Sequence, residues 1–130
     1  MALLDRFRAQ PRQKHTDPIV RLAFVQEIPL DEHEVLAEMA RGDADVRVRR
    51  AAVAKLMDPP SLAIIAESDS DESVRTLATS MLRDIALEAF EGVSETQSLS
   101  AVERLNDAKS LTAVARGAAR EPVARRALER

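Results

Sequence analysis

The stretch Asp-Ala-Asp-Val-Arg-Val-Arg-Arg-Ala-Ala at residues 43–52 decides the fold, because it returns 26 residues later as Asp-Ser-Asp-Glu-Ser-Val-Arg-Thr-Leu-Ala at 69–78. Each copy continues to a Leu-x-Asp, at 56–58 in the first and at 82–84 in the second. Self-similarity at a short fixed period is typical of proteins built from stacked structural repeats. We therefore expect a repeat protein.

Weaker copies flank this pair. One begins at Asp17, 28 residues before Asp45, and another covers residues 105–127, which match 56–78 at a shift of 49. The unit is therefore about 23 to 28 residues long.

The length of 130 residues suits one domain. We expect this domain to cover 1–130, with residues 1–16 as an N-terminal cap segment and repeats from about 17 to 130. The last repeat matches only the start of its unit and then stops.

Each unit reads as two short helices. In the second one, Val48, Ala52 and Leu56 are spaced four residues apart, which places them on one stripe of a helix and not on alternate sides of a strand. The small central alanine lets two helix backbones approach closely. The pattern predicts helices near 18–28, 32–41, 46–57, 60–67, 72–90, 96–106, 108–117 and 122–129, and a further short helix near 2–9.

Capping residues agree with these helices. Asp17 and Asp58 each precede a proline, which predicts an N-cap oxygen ahead of a proline in the first turn. Glu121 with Pro122 predicts a similar start for the last helix. Residues 94–97, Ser-Glu-Thr-Gln, form a candidate capping box.

Residues 43–52 and 69–78 resemble HEAT repeats, most closely the short HEAT-like repeats of phycobilisome lyases and of uncharacterised bacterial proteins. The resemblance implies an all-α, right-handed α-solenoid of helical hairpins that binds proteins on a concave face lined by the second helices. The Leu-Gly that often ends the lyase-type repeat is replaced here, for example by Leu56-Met57-Asp58. This departure argues against transferring the lyase function.

The second helices are the candidate partner-binding surface. Residues that lie off the buried stripe and differ between copies are available to a partner, although a plain solvated surface would show the same pattern. The candidate partner-binding residues are Arg47, Arg50, Thr76, Ser80, Arg83 and Arg104.

The recurring pairs Asp45/Arg49 and Asp71/Arg75 have a simpler explanation. A residue that repeats with the structure most often maintains that structure. We expect each Asp to cap its helix and each Arg to reach an Asp or a carbonyl of a neighbouring repeat.

No catalytic, cofactor-binding or metal-binding residues are expected. The chain has no cysteine and only two histidines, His15 and His33, whereas nucleophilic catalysis needs a nucleophile beside an oriented base. Its three glycines are isolated, so no phosphate-binding loop is present. A metal site needs several ligands at set spacing, and His33 lies alone among acidic residues.

Nucleic-acid binding is the main alternative function. Arg47, Arg49 and Arg50 form one basic cluster, and residues 116–130 carry five arginines against two glutamates. Such patches could contact phosphates. The net charge is −3, however, and no Tyr or Trp is available to stack a base.

The chain ends suggest two further interactions. Leu3, Leu4 and Phe7 share one helical face, which suits a cap on the first repeat better than a helix lying on a membrane or a partner, and no membrane partner is expected. Solenoid ends need a polar cap, so the C-terminal end either packs on another subunit or belongs to a longer repeat protein.

Taken together, the sequence predicts a non-catalytic protein-binding or assembly scaffold, with a cytoplasmic location. Nucleic-acid binding through the arginine patches and a lyase-like enzyme accessory role remain the alternatives.

Overall fold

The computed structural model describes residues 12–130, and these residues are entirely helical apart from their connections. The predicted helix near 2–9, with Leu3, Leu4 and Phe7, lies outside the described residues. A single 3-10 turn at Arg12–Lys14 precedes the α-helices. These helices are α1 (Pro18–Glu27), α2 (His33–Gly42), α3 (Val46–Val53), α4 (Pro59–Ser68), α5 (Glu72–Ala86), α6 (Glu95–Arg104), α7 (Ala108–Gly117) and α8 (Glu121–Glu129).

The eight helices predicted over 18–129 are all present, but α3 and α5 end four residues earlier than expected. After Val53, the backbone N–H groups of Lys55 and Leu56 turn back to carbonyls three residues earlier, which closes the helix. After Ala86, Glu88 adopts a positive φ of 57°, which reverses the chain. Hydrophobic periodicity continues through both turns, so the pattern overestimated the helices.

Aspartates begin most of the helices, as expected. Asp17, Asp45, Asp71 and Asp107 each accept a hydrogen bond from a backbone N–H of the first turn. The Ser94–Gln97 capping box is also formed.

Two predicted caps are wrong. Asp58 occupies the N-cap position of α4 but makes no cap hydrogen bond, because its carboxylate instead accepts from the Ser61 hydroxyl at 2.5 Å. The N-cap of α8 is Arg120, so Glu121 and Pro122 already lie in the helix.

The helices pack in two rows. Helices α1, α3, α5 and α7 pack successively against each other and form the odd row, while α2, α4, α6 and α8 form the even row. The rows are joined by α2 against α3, α4 against α5, α5 against α6, and α7 against α8. Each helix therefore contacts only near neighbours along the chain, as in a stack of repeats.

Helix α6 interrupts the alternation of the repeat. Residues Val123 and Ala127 of α8 match Val74 and Ala78 of α5 at a shift of 49, yet α8 lies in the even row and α5 in the odd row. One additional helix in an alternating two-row stack exchanges the rows for every helix that follows. The expectation that the second helices share one face is therefore wrong after α5.

The core is aliphatic and follows the predicted stripe. Val48, Ala52 and Leu56 have no exposed surface, and the same holds for Val74 and Ala78 of the next copy. Burying each valine or leucine contributes about 1.5 to 3 kcal/mol relative to leaving it in water.

Two cations hold the ends of earlier helices. Lys55 Nζ donates to the carbonyl of Val25 at 2.8 Å, at the end of α1, and Arg130 Nη1 donates to the carbonyl of Val102 at 2.6 Å, near the end of α6. Both lie seven residues after the first valine of a stripe, but the equivalent residue of α5 is Met81, so this contact occurs in only some of the copies. A cation at a helix C-terminus donates hydrogen bonds to the free carbonyls and interacts favourably with the negative end of the helix dipole.

Among residues 12–130, no helix combines the length and the hydropathy needed to cross a lipid bilayer.

Candidate interaction surface

A ladder of arginine–aspartate pairs links successive layers of the stack. Arg49 of α3 donates from Nε and Nη2 to the two carboxylate oxygens of Asp69, at 3.0 and 3.3 Å. Its Nη1 donates to the carbonyl of Asp43 at 2.9 Å. One guanidinium thus holds the loops that precede α3 and α5.

The same geometry recurs one layer earlier. Arg21 of α1 donates from Nε and Nη2 to Asp43, at 2.8 and 3.1 Å, and from Nη1 to the carbonyl of His15 at 2.6 Å. His15 occupies the position of Asp43 and Asp69, two residues before the N-cap. Its Nδ1 accepts the N–H of Asp17, as Asp43 accepts the N–H of Asp45.

The ladder stops at Arg75. Its Nη1 donates to the carbonyl of Asp69 at 2.7 Å, but its guanidinium has no carboxylate partner in the part of the chain that the structure describes. The equivalent of Asp69 in the last copy, at a shift of 49, is Ala118. Arg75 therefore has no aspartate in the next copy to accept its hydrogen bonds. This loss coincides with the row exchange, after which the last hairpin has its two helices in opposite rows.

The structural role predicted for the recurring Asp and Arg is confirmed for Asp45, Asp71 and Arg49, but not for Arg75, which donates to the carbonyl of Asp69 in its own copy. Asp45 and Asp71 cap helices, and Arg49, only 8% exposed, reaches a neighbouring repeat. These residues are used within the chain and are not available to a partner.

The residues that differ between copies lie on the outer side of α3 and α5. We call this surface the odd-row face, and it consists of Arg47, Arg50, Ala54, Ser73, Thr76, Ser80 and Arg83, all exposed or half-buried. Because α3 packs directly against α5, the structure brings together five of the six predicted partner-binding residues in one row.

Arg47 is partly occupied by its own helix cap. It donates from Nε and Nη2 to Asp45 at 3.1 and 3.0 Å. These side-chain hydrogen bonds, together with the backbone N–H of Arg47, lower the pKa of Asp45 to about 2.

Arg50 is exposed and has no hydrogen-bonded acceptor among residues 12–130. Its charge acts at longer range on Asp71 of the next layer. The pKa of Asp71 is lowered mainly by the Ser73 hydroxyl, then by backbone N–H groups and by Arg50. The guanidinium of Arg50 is therefore not hydrogen-bonded within residues 12–130.

Arg83 lies at the other end of α5. Its Nε is 3.7 Å from Asp84, too far for a hydrogen bond, and its charge also acts on Asp107. Burial opposes ionisation of Asp107, but hydrogen bonds from Ser110 and the charge of Arg83 outweigh it and lower the pKa. Arg83 is therefore ion-paired with Asp84, although it makes no hydrogen bond to that carboxylate.

Arg104 belongs to the even row, whereas the other five predicted residues lie in the odd row. It lies in α6 and lines a groove with Glu67 of α4 and with Thr79 and Leu82 of α5. Sequence reasoning placed it with the others because it treated α6 as part of a regular unit.

Most arginines of the two predicted basic patches have partners within the chain. The pairs are Arg47 with Asp45, Arg49 with Asp69, Arg120 with Glu88, Arg125 with Glu121, and Arg126 with Glu103 and Glu129, while Arg130 holds the end of α6. Arg50 and Arg116 have no such partner among the described residues. The patches therefore offer fewer free charges than the sequence suggests.

At the end of the stack, a groove of about 520 Å³ lies between α7 and α8. Leu111, Ala115 and Leu128 contribute to its lining, with Arg116 and Arg130 also present. Leu128 is 75% exposed, whereas Val53, at the same position five residues after the first valine of its stripe, is fully buried. Leu128 therefore presents an apolar side chain to solvent at this end of the stack.

No group of three or more His, Cys, Asp or Glu able to hold a metal ion occurs within the described range. His33 lies exposed in the first turn of α2.

No protein-family model, curated protein or solved structure matches the chain. Its function is therefore inferred from its own residues.

Sequence reasoning missed two members of the odd row. Lys109 and Arg116 of α7 are exposed, but the repeat assigns α7 as a first helix. The capping box at Ser94 could have revealed this placement. It begins α6, a helix that lacks the Val-Arg-x-x-Ala motif and is therefore additional to the regular unit.

Proposed function

We propose that the chain is a non-catalytic protein-binding or assembly scaffold module whose working surface is the odd-row face. The observation that supports it best is that repeated and variable positions occupy different environments. Positions that repeat, such as Arg49 and Asp69, are buried and bonded to each other, while positions that differ, such as Arg50 and Thr76, are exposed.

Variation on a constant scaffold is how repeat proteins acquire a binding surface, since the stack fixes the positions and leaves the outer side chains free. The odd-row face combines guanidinium groups with small hydroxyl side chains at Ser73, Thr76 and Ser80. Arginine is enriched at protein interfaces because its planar group forms several directed hydrogen bonds.

The proposal includes the finer architecture, a right-handed α-solenoid of short HEAT-like hairpins, and a cytoplasmic location. Successive packing within two rows and the Arg–Asp ladder support the solenoid. A small-angle scattering profile that fits a compact, non-repeating bundle better than an elongated stack would count against it.

Nucleic-acid binding has less support, because the internal ion pairs of Arg49, Arg120 and Arg126 occupy groups that would otherwise meet phosphates. The lyase-like accessory role depends on the repeat resemblance alone.

The test is a pull-down from a nuclease-treated lysate of the organism that encodes the chain. We expect a stoichiometric protein partner whose recovery is unaffected by nuclease. Recovery that disappears on nuclease treatment would instead favour nucleic-acid binding, and failure to recover any stoichiometric partner would contradict the proposal.

A further inference from the structure

Three arginines occupy the same position in successive layers of the odd row: Arg21 in α1, Arg49 in α3 and Arg75 in α5. In each of them Nη1 donates to a backbone carbonyl of the loop that precedes the arginine's own helix, at 2.6, 2.9 and 2.7 Å in turn. In Arg21 and Arg49, Nε and Nη2 then donate to a carboxylate of the next layer. One hydrogen bond therefore orients the guanidinium, and its other edge binds the carboxylate.

Arg75 makes the first of these contacts and lacks the second. Among residues 12–130, its Nε and Nη2 have no hydrogen-bonded acceptor. Every fully buried side-chain nitrogen or oxygen in this range has a partner, so these two nitrogens reach solvent. The guanidinium is thus held by one carbonyl and is accessible on the edge that binds a carboxylate in the earlier layers.

The layer that follows Arg75 supplies no carboxylate to this edge. The next helix of the odd row is α7, and the residue two positions before its N-cap is Leu105, where α3 and α5 have Asp43 and Asp69. Leu105 is buried in the core. Asp107 caps α7 by accepting one of its backbone N–H groups. The described part of the chain therefore leaves the carboxylate position of this layer to another molecule.

Neighbouring aspartates do not prevent a carboxylate from binding at such a position. Arg49 binds one although the loop 43–45 before its helix carries two aspartates, and Arg75 has the matching loop 69–71. In both loops the first aspartate is already paired with the arginine of the preceding layer, and the second caps the helix. Binding here depends on directed donors and not on an excess of positive charge.

A groove of about 330 Å³ lies one helical turn along α5 from Arg75. Its lining includes Thr79, Leu105 and Asn106. Thr79 is four residues after Arg75 and so lies on the same face of α5, where its hydroxyl donates to the Arg75 carbonyl at 3.2 Å. A carboxylate bound by Arg75 therefore has space beside it for the polypeptide to which it is attached.

We propose that Arg75 binds the carboxylate of an aspartate or glutamate side chain of the partner protein through Nε and Nη2, in the way that Arg21 and Arg49 bind the aspartates of their next layers. This inference rests on the proposed function and names the chemistry of one partner contact. A planar carboxylate matches the two parallel donors, whereas the more highly charged phosphate dianion is repelled more strongly by the aspartates of the loop 69–71.

The test follows the arginine Nε–Hε signals of the isotope-labelled full chain by proton–nitrogen NMR. The probe is N-acetyl-aspartate amide, which carries one side-chain carboxylate, and N-acetyl-asparagine amide is its uncharged control. Arg50, exposed and not hydrogen-bonded among the described residues, is the matched arginine that no carbonyl orients. Arg49 is the arginine whose carboxylate position is already filled. Arg75→Lys identifies the Arg75 signal, and circular dichroism checks that this variant is folded.

We expect the Arg75 signal to reach half-saturation at a probe concentration about threefold or more below that of Arg50, because its guanidinium is already immobilised. The Arg49 signal should not move. An Arg75 signal that stays in place, that responds no more strongly than Arg50, or that responds equally to the asparagine control would overturn the inference. A stronger response to inorganic phosphate than to the probe would overturn the assignment of a carboxylate.

The pull-down distinguishes this inference from the proposed function. Arg75→Lys keeps the charge but loses the two parallel donors, so it should lower the recovered partner about threefold or more. Arg41→Lys, the same change on an exposed arginine of the even row, should leave recovery unchanged. A partner recovered equally by the wild type and Arg75→Lys would contradict the contact but not the proposed function. If Arg75 binds the probe but no partner is recovered at all, the proposed function itself fails.

Discussion

Arg49 and Asp69 join two successive layers of the stack, the guanidinium of α3 donating from two nitrogens to both oxygens of a carboxylate that precedes α5. Both side chains are almost completely buried. Because Asp69 also accepts the backbone N–H of Asp71, the pair fixes the start of the next helix as well as the distance between layers.

We predict that Arg49→Ala lowers the free energy of unfolding by about 3 kcal/mol or more, because it leaves the carboxylate of Asp69 buried without its cation. Arg75→Ala is the matched control, since Arg75 donates only to a backbone carbonyl, and it should cost about 1 kcal/mol. Urea denaturation measures both values. Equal losses in the two variants would show that the ladder does not support the stack.

The small residues of the stripe are predicted to be intolerant of enlargement. Ala52 has no exposed surface, so Ala52→Leu should destabilise the fold by about 1 to 3 kcal/mol through overpacking. Ala54→Leu adds the same atoms two residues away on the exposed odd-row face and should change stability by about 0.5 kcal/mol or less. Thermal melting distinguishes the two, and a similar cost at both positions would contradict the assignment of the stripe.

Stability should fall in acid, partly through Asp45. Its folded pKa of about 2 lies below its ordinary value of 3.8, so its contribution is present above the ordinary value and disappears as the pH falls through about 2. Asp45→Asn keeps a side-chain oxygen for the cap but loses the charge.

The stability difference between the wild-type chain and Asp45→Asn should therefore be largest near neutral pH and shrink toward pH 2, as measured by urea denaturation across a pH series. A difference that is constant over this series would mean that the Arg47–Asp45 contact does not depend on the carboxylate charge.

Self-association through the C-terminal end stays a prediction, with the exposed Leu128 as its reason. We expect the mass measured by light scattering to rise with protein concentration, and Leu128→Ser to reduce that rise. The variant should keep its melting temperature, because an exposed side chain contributes little to the fold. A mass that stays monomeric at all concentrations would contradict this prediction.

The sequence predicted the helices well because their determinants are local. The four-residue spacing of Val48, Ala52 and Leu56 and the caps at Asp17, Asp45 and Asp71 act within a few residues of each helix. Recurrence also predicted that Arg49 reaches a neighbouring repeat, but the same prediction was wrong for Arg75, because the last copy has no equivalent of Asp69.

The candidate surface was only partly predictable, because the row of a helix depends on how many helices precede it. A regular unit would have placed Arg104 in the same row as Arg50, but the additional helix α6 puts them in different rows. The internal partners of Arg120 and Arg126 lie 32 and 23 residues away in the chain, and such pairings follow from tertiary packing alone.

The most direct test of the proposed function is the amount of partner recovered per chain from a nuclease-treated lysate by the wild-type protein, by R50E/R83E on the odd-row face and by R41E/R104E on the even row in parallel. If the odd-row face binds the partner, we expect stoichiometric recovery by the wild type and by R41E/R104E, and loss of the partner by R50E/R83E. The same recovery by all three chains, or no stoichiometric partner for any of them, would contradict it.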